Sequence, residues 1–431
     1  MTKDRDLKTK IRARMAKTGE RYAAARANFV GSSDPAADWR SLRGAHAETT
    51  GLARLMSAAG IVAPHTGAPP GEALLLGLGG GLGGAYFVFE YKGMPPTFYV
   101  ATRCYPQYAY GADFVTRAAS RLGVVLEVTQ TTSRVAAARQ LRDRVTGAPT
   151  LAWLDRNALP WATGIMTMGT APHVVVISAV DDDVATVHDT AGHAYRLPHA
   201  ELATARAGLA REKHRLVTLR PAPPAKIDLA AATREAIADC CAELAGRTKH
   251  KQFAGNFGIA GFAKWTALVE SNDKKAWPRV FAGGAALWSA LASGAYWIDL
   301  AGTGGGAFRP LYARFLDEAA TITGTPTLRE AAEAYRALGT AWSDLAAAML
   351  PRELPLLSAT RAALDDQTTA AAAGDLDALA RARDRLRQLR TRADTGELDA
   401  HAADLRAALA SRLRSIVAQE TAAAAALGSA T

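Results

Sequence analysis

Apolar residues recur at helical spacing through GAHAETTGLARLMSAAG, residues 44–60, where Leu52, Leu55 and Met56 follow a polar start and Gly60 closes the run; the pattern predicts a helix over 46–59. The periodicity then shortens. Residues 85–91, 97–103, 124–130, 149–155 and 214–221 read as strands, interleaved with helices over 111–123 and RVAAARQLRDRVTG. The stretch GEALLLGLGGGLGG before the first strand reads as glycine-rich turns. Residues 173–192 form two β-branched runs around Asp181-Asp182-Asp183, the pattern of a β-hairpin. Helices early and antiparallel strands late predict an α+β fold. RPAPPAK at 220–226 reads as a linker, and beyond it the pattern is helical. Amphipathic segments fill 228–350, broken by GTGGGAF at 302–308; Ala-, Arg- and Asp-rich helices follow over 355–427. Four parts result: a basic helical arm (1–37), an α+β domain (38–220), a helical domain (221–351) and a long-helix tail or bundle (352–431).

Charge and cysteine usage narrow the functional classes. The net charge is +10, and the first 26 residues supply nine Lys or Arg against three acids. Nucleic-acid binding is therefore a question about the arm, with no recognition-helix signature behind it. Cys104, Cys240 and Cys241 have neither the spacing of a disulfide framework nor that of a zinc site. No run of about 18 apolar residues occurs, so no membrane span is expected, and a cytoplasmic location fits. No HExxH motif, Cys-x-x-Cys pair or carboxylate–histidine cluster at metal spacing is present, so neither a metal nor another cofactor is expected.

The hairpin carries the most informative chemistry. His173 opens one strand and Asp189 closes the next, so a short turn brings them side by side. A His held by an Asp is the base-and-orienter half of a catalytic triad, with Nδ1 expected to face the carboxylate. His188 points to the opposite face. The helix at 46–59 offers the matching half, because a helix N-terminus lowers a thiol pKa. Its first turn, however, carries Ala47, Glu48, Thr49 and Thr50, with His46 before it and no cysteine. Thr49, Thr50 and Cys104 are poorly placed to substitute. GLGGGLGG at 77–84 lacks the Lys-Ser/Thr of a phosphate loop, so its glycines, Gly79 and Gly80 among them, are read as close packing beside a pocket. Glu72 is read as a buried, hydrogen-bonded carboxylate, GTGGGAF as a helix-initiating turn, and His65 and Trp161 as loop residues near a pocket.

The chain order of helix start, His-led hairpin and Asp is similar to that of papain-like cysteine enzymes, including the bacteriocin-processing peptidases. A closer likeness covers more of the chain. AHAETTGLARLMSAAGI, PPGEALLLGLGGGLGGAYFVFEY and HVVVISAVDDDVATVHDT resemble the N-terminal domain of the butirosin-biosynthesis H family. His46, Glu72, Gly77, Gly79–Gly81, His173 and Asp189 match its pattern. NFGIAGFAKWTALV (256–269) and GTGGGAFRPLYARFLDEAA (302–320), with Tyr335 and Trp342, resemble the uncharacterised helical domain that often follows it. The resemblance implies a papain-like domain followed by an all-α domain. It also implies acyl or aminoacyl transfer from a carrier-protein thioester to an amine in specialised metabolism. His173 and Asp189 would be catalytic with His46 beside them, Ala47 stands where the family carries its nucleophilic Cys, and Glu72, Gly79, Gly80 and Thr49 would line the substrate site. The partners implied are an acyl carrier protein and a small-molecule amine, with a homo-oligomer also compatible. A non-catalytic relative that binds a peptide, carrier protein or small molecule is the alternative, and a nucleic-acid-associated protein acting through the arm is a third.

Overall fold

The computed structural model describes residues 39–92, 95–104, 112–165, 170–220 and 224–430. The basic arm expected over 1–37 lies outside the described residues.

Strands β3 (Leu126–Thr129), β4 (Thr150–Asp155), β5 (Pro172–Val180), β6 (Val184–His188), β7 (Ala194–Pro198) and β8 (Leu216–Leu219) build one sheet in the order β3-β8-β4-β5-β6-β7. Every pairing in it is antiparallel. Side-chain alternation gives the sheet two buried faces. Leu151, Trp153, Val174 and Val176 belong to one core cluster; Ala152, Leu154, Val175 and Ile177 belong to another. Helix α1 (Ala47–Ala58) lies on the first face. A Cβ at its Gly51 would stand 2.8 Å from the tip of Leu151 and 3.6 Å from Val174, so the glycine gives the helix a close approach to the sheet. Helices α4 (Arg134–Val145) and α5 (His199–Gly208) cover the second face through Leu141, Leu202 and Ala205.

Two segments depart from the sequence pattern. The stretch read as glycine-rich turns contains α2 (Glu72–Leu78), which begins with Glu72 and buries Leu74, Leu75 and Leu76. β7 and α5 were not foreseen, because AYRLP is short and passes directly into a helix.

β1 (Ala85–Phe89) and β2 (Thr97–Ala101) form a separate hairpin. It packs against the helical half, where Tyr86 stacks on Trp265 at 5.6 Å and accepts a hydrogen bond from Trp277 Nε1 at 2.8 Å. Helix α3 (Ala112–Ser120) follows it.

After residue 224 the chain is all-helical: α6 (Leu229–Leu244), α7 (Gly258–Glu270), α8 (Trp277–Val280), α9 (Gly284–Ala295), α10 (Arg309–Thr323), α11 (Leu328–Met349), α12 (Pro355–Ala373), α13 (Leu376–Ala393) and α14 (Ala402–Ser429). The two halves share a core. Leu52 and Leu75 from before the Pro-rich stretch pack in one cluster with Ile237, Phe315 and Leu427 from after it. The glycine run forms the seam: added Cβ atoms at Gly77 and Gly79 would meet the rings of Phe315 and Phe114 at 2.2 and 2.1 Å. The last helices are integral to this packing. Glu420 on α14 is fully buried and accepts from Arg309 Nε at 2.8 Å and Trp342 Nε1 at 2.7 Å. Breaking such a buried pair by removing one partner costs about 3–5 kcal/mol. Among the described residues, no helix is long and apolar enough to cross a membrane.

Candidate functional site

At the start of β5, His173 Nε2 lies 2.7 Å from Asp189 Oδ2. The pair follows from register. Val176 opposes His188, so Asp189 falls diagonally across from His173 on the same parity. The His side chain is 19 % exposed and the Asp 8 %, so the imidazole has access to solvent while its partner does not. The bonded nitrogen is Nε2, not the expected Nδ1, because the diagonal separation calls for the distal ring atom. Nδ1 is left as the nitrogen able to take a proton. Asp189 is further fixed by the N–H of Thr190 on Oδ1 at 2.7 Å and by Trp161 Nε1 on Oδ2 at 2.7 Å. Burial alone would push its carboxyl up; the His173 ring and these donors hold it at about 2. His188 points the other way, with Ser178 Oγ at 2.9 Å from its Nε2 and Trp39 against its ring.

The start of α1 is a second cluster, organised by Glu72. One carboxylate oxygen accepts from the N–H groups of Ala45 (3.0 Å) and His46 (2.6 Å) and from the hydroxyls of Thr49 (3.0 Å) and Thr50 (3.1 Å). A negative group here also complements the helix dipole. His46 occupies the N-cap position. Arg103 Nη2 lies 2.7 Å from its Nε2, and its Nδ1 lies 3.4 Å from the Thr49 N–H it caps and 3.1 Å from Thr49 Oγ1, so the ring is held from both sides. Burial lowers the His46 pKa, and the Arg103 charge lowers it further. Glu48 pairs with the same guanidinium. Burial would push Glu48 up, but Arg103 and His46 bring it to about 2. Arg103 also covers the ring of Phe114 at 4.3 Å, which rests on Gly79.

Residues 46–190 match the family model described as butirosin biosynthesis protein H, N-terminal. That span is therefore similar to the butirosin-H N-terminal domain. Residues 200–354 match a domain of unknown function, DUF4872, a span that takes in α5 and β8 of the sheet half and runs through α11. No curated protein matches the chain.

Within residues 46–190 the structure thus brings His173 to Asp189, and gathers His46, Thr49 and Glu72 around the start of α1, where Ala47 is the first helical residue. The two clusters meet at one end of the sheet, where Gly44 N–H donates to Thr190 O at 3.0 Å. The side-chain hydrogen bonds named above stay within each cluster. His173 has the parity of Val175 and Ile177, the face turned away from α1.

The hydroxyls of Thr49 and Thr50 are buried and committed to Glu72. Burial, with the Glu243 charge, raises the Cys104 thiol to about 12. None of the three is prepared as a nucleophile. Sequence reasoning missed Arg103, which sits in ATRCYPQY without a motif. It also missed that GTGGGAF reaches this site. Gly302 and Gly304 lie against Ala45, and Phe308 packs edge-on to His46 at 5.3 Å. Two N–H groups of that loop are taken internally, Gly305 by Thr303 Oγ1 and Gly306 by Asp299 Oδ1, as a helix-initiating turn requires. His65 is elsewhere, bonded to Glu318 at 2.7 Å.

Proposed function

We propose that the butirosin-H-like domain has a papain-like arrangement and catalyses acyl transfer from a carrier-protein thioester to an amine, with His173 as the base and Asp189 as its orienter. The 2.7 Å bond between His173 Nε2 and a buried, charged Asp189 carries the reading. Such a dyad leaves Nδ1 basic and the ring fixed.

With alanine at position 47 the reaction has no acyl-enzyme stage. The acceptor amine attacks the thioester carbonyl carbon directly. His173 Nδ1 takes the proton from the attacking nitrogen as the C–N bond forms; the C–S bond breaks, and the proton passes to the leaving thiolate. N–H groups in the first turn of α1 lack intrahelical partners and suit the developing oxyanion. Glu72, Thr49 and His46 hold that turn, and Gly79 and Gly80 let the backbone approach from the seam.

A second reading is a binding protein without chemistry. It is favoured by the methyl group of Ala47 and by the parity that turns His173 from α1. One experiment decides between them. The full chain is incubated with an aminoacyl carrier-protein thioester and an aminoglycoside amine, and product is followed by mass spectrometry. Transfer that falls by about 10²–10⁴-fold in His173→Ala is expected. Saturable carrier-protein binding with no transfer by the unaltered chain would overturn the catalytic reading.

A further inference from the structure

The dyad's carboxylate oxygen has a second partner whose placement is controlled from the far end of the chain. Trp161 Nε1 donates to Asp189 Oδ2, the atom that also holds His173 Nε2. The indole is buried and stacks on Tyr195 at 4.2 Å, with 7° between the planes. The backbone around it belongs to no regular element. It is held instead by side chains, Arg156 of the sheet half on Thr163 and several from the helical half. Gly164 N–H donates to Gln367 Oε1 at 2.6 Å, and Gln367 Nε2 returns a bond to Gly164 O at 3.5 Å. Gln367 is fully buried on α12. Arg383 on α13 donates to Leu159 O at 3.4 Å and to Ala162 O. Tyr296 donates to Thr163 O at 3.2 Å. Its ring leaves no room for a side chain at Gly164, where φ is +98° and an added Cβ would stand 2.5 Å from Tyr296.

We propose that α12 and α13, which lie beyond both family matches, clamp the 159–165 loop so that Trp161 fixes the Asp189 carboxylate. Gln367, Arg383 and Trp161 are then positioning residues for His173. Gln367 is well suited to the task. A buried amide that engages both the N–H and the C=O of one residue, Gly164, ties α12 to a single loop position, and leaving those groups unpaired in the interior is costly. Apolar contact supports the clamp, since Ala370 and Leu379 pack in the same cluster as Leu159 and Trp161. An ordinary packing role would need no donor on Asp189. Here the clamp ends on the oxygen that orients the base. This gives the terminal helices a function in the site, independent of any substrate contact.

The inference rests on the dyad being the working site, but its test does not need turnover. The full chain is labelled with ¹⁵N-histidine, and the imidazole N–H proton shared between His173 and Asp189 is sought as a slowly exchanging downfield NMR resonance, assigned by its loss in His173→Ala. Trp161→Phe keeps an aromatic ring against Tyr195 and removes the N–H, with a smaller ring in its place. Gln367→Leu removes the clamp. Both are expected to broaden the resonance and speed its exchange with water by tenfold or more. If Gln367→Leu fails to fold, Trp161→Phe decides alone. A resonance unchanged in Trp161→Phe, or absent from the unaltered chain, overturns the proposal. Where transfer is measurable, kcat should fall in both variants with KM unchanged; absence of transfer with the NMR effect intact would sink the catalytic reading and leave the clamp standing.

Discussion

The two polar clusters at the end of the sheet differ in what their hydrogen bonds leave over. At the start of α1 every named polar side chain is engaged: Glu72 gathers backbone and hydroxyl donors, and His46 is bonded through both ring nitrogens. At the hairpin, the bonds converge on Asp189, and among the described residues no hydrogen bond takes the other nitrogen of the partly exposed imidazole. The bonds of the first cluster hold a backbone in place; those of the second hold one side of an imidazole and leave the other side toward solvent. Neither arrangement depends on what stands at position 47.

The largest expected effect on this contrast comes from Glu72→Ala. It strips the acceptor from two backbone N–H groups and two hydroxyls at once. Leaving buried donors unsatisfied costs about 1–3 kcal/mol each, partly recovered by water, so a loss near 3 kcal/mol is expected in urea unfolding. An Asp189→Asn exchange, which keeps the shape of the hairpin pair, should cost much less stability. Equal losses would mean that the two clusters do not divide the work in this way.

Ala47→Cys sharpens the comparison by asking whether the clusters share a space. A thiol at the first helical position is expected to have a lowered pKa, giving about tenfold faster alkylation by iodoacetamide near pH 7 than an ordinary exposed thiol. If His173 faces the same hollow, adding His173→Ala slows that alkylation several-fold. An introduced thiol indifferent to His173 would place the dyad and the helix start in separate environments, as the strand parity of His173 suggests.

What could be read from the sequence was local. The hairpin was legible because two β-branched runs flank a three-residue turn, but the register shift between Ile177 and Ala179, which puts His173 and Asp189 on one face, was not. α1 was legible because its apolar residues keep helical spacing up to Gly60. α2 was not, since Leu74, Leu75 and Leu76 in succession between glycines follow neither period, and its helix is stabilised by burial on all sides. The Nε2 bonding of His173 depends on a diagonal offset that only the register reveals. The contacts of Gln367, Arg383 and Glu420 join residues separated by at least 78 positions, and such pairings leave no mark in a local window.

The smallest effect concerns charge at the helix start. Glu48 ionises at about 2 in the folded protein against an ordinary 4.5, because Arg103 and His46 outweigh the cost of burial. A depressed folded pKa adds stability that is fully present above the unfolded value and is lost as pH falls through the folded one. Glu48→Gln should therefore be less stable than the unaltered chain at pH 7, by about 1–2 kcal/mol once access of water to the pair is allowed for. The gap should narrow below about pH 4.5 and vanish near pH 2, as read from urea midpoints across that range. Asp189 titrates in the same window in both proteins, so it cancels in the difference. A gap that stays constant with pH would mean that Glu48 supports the helix start through its shape and not through its pairing with Arg103, and the electrostatic account of that cluster would fail.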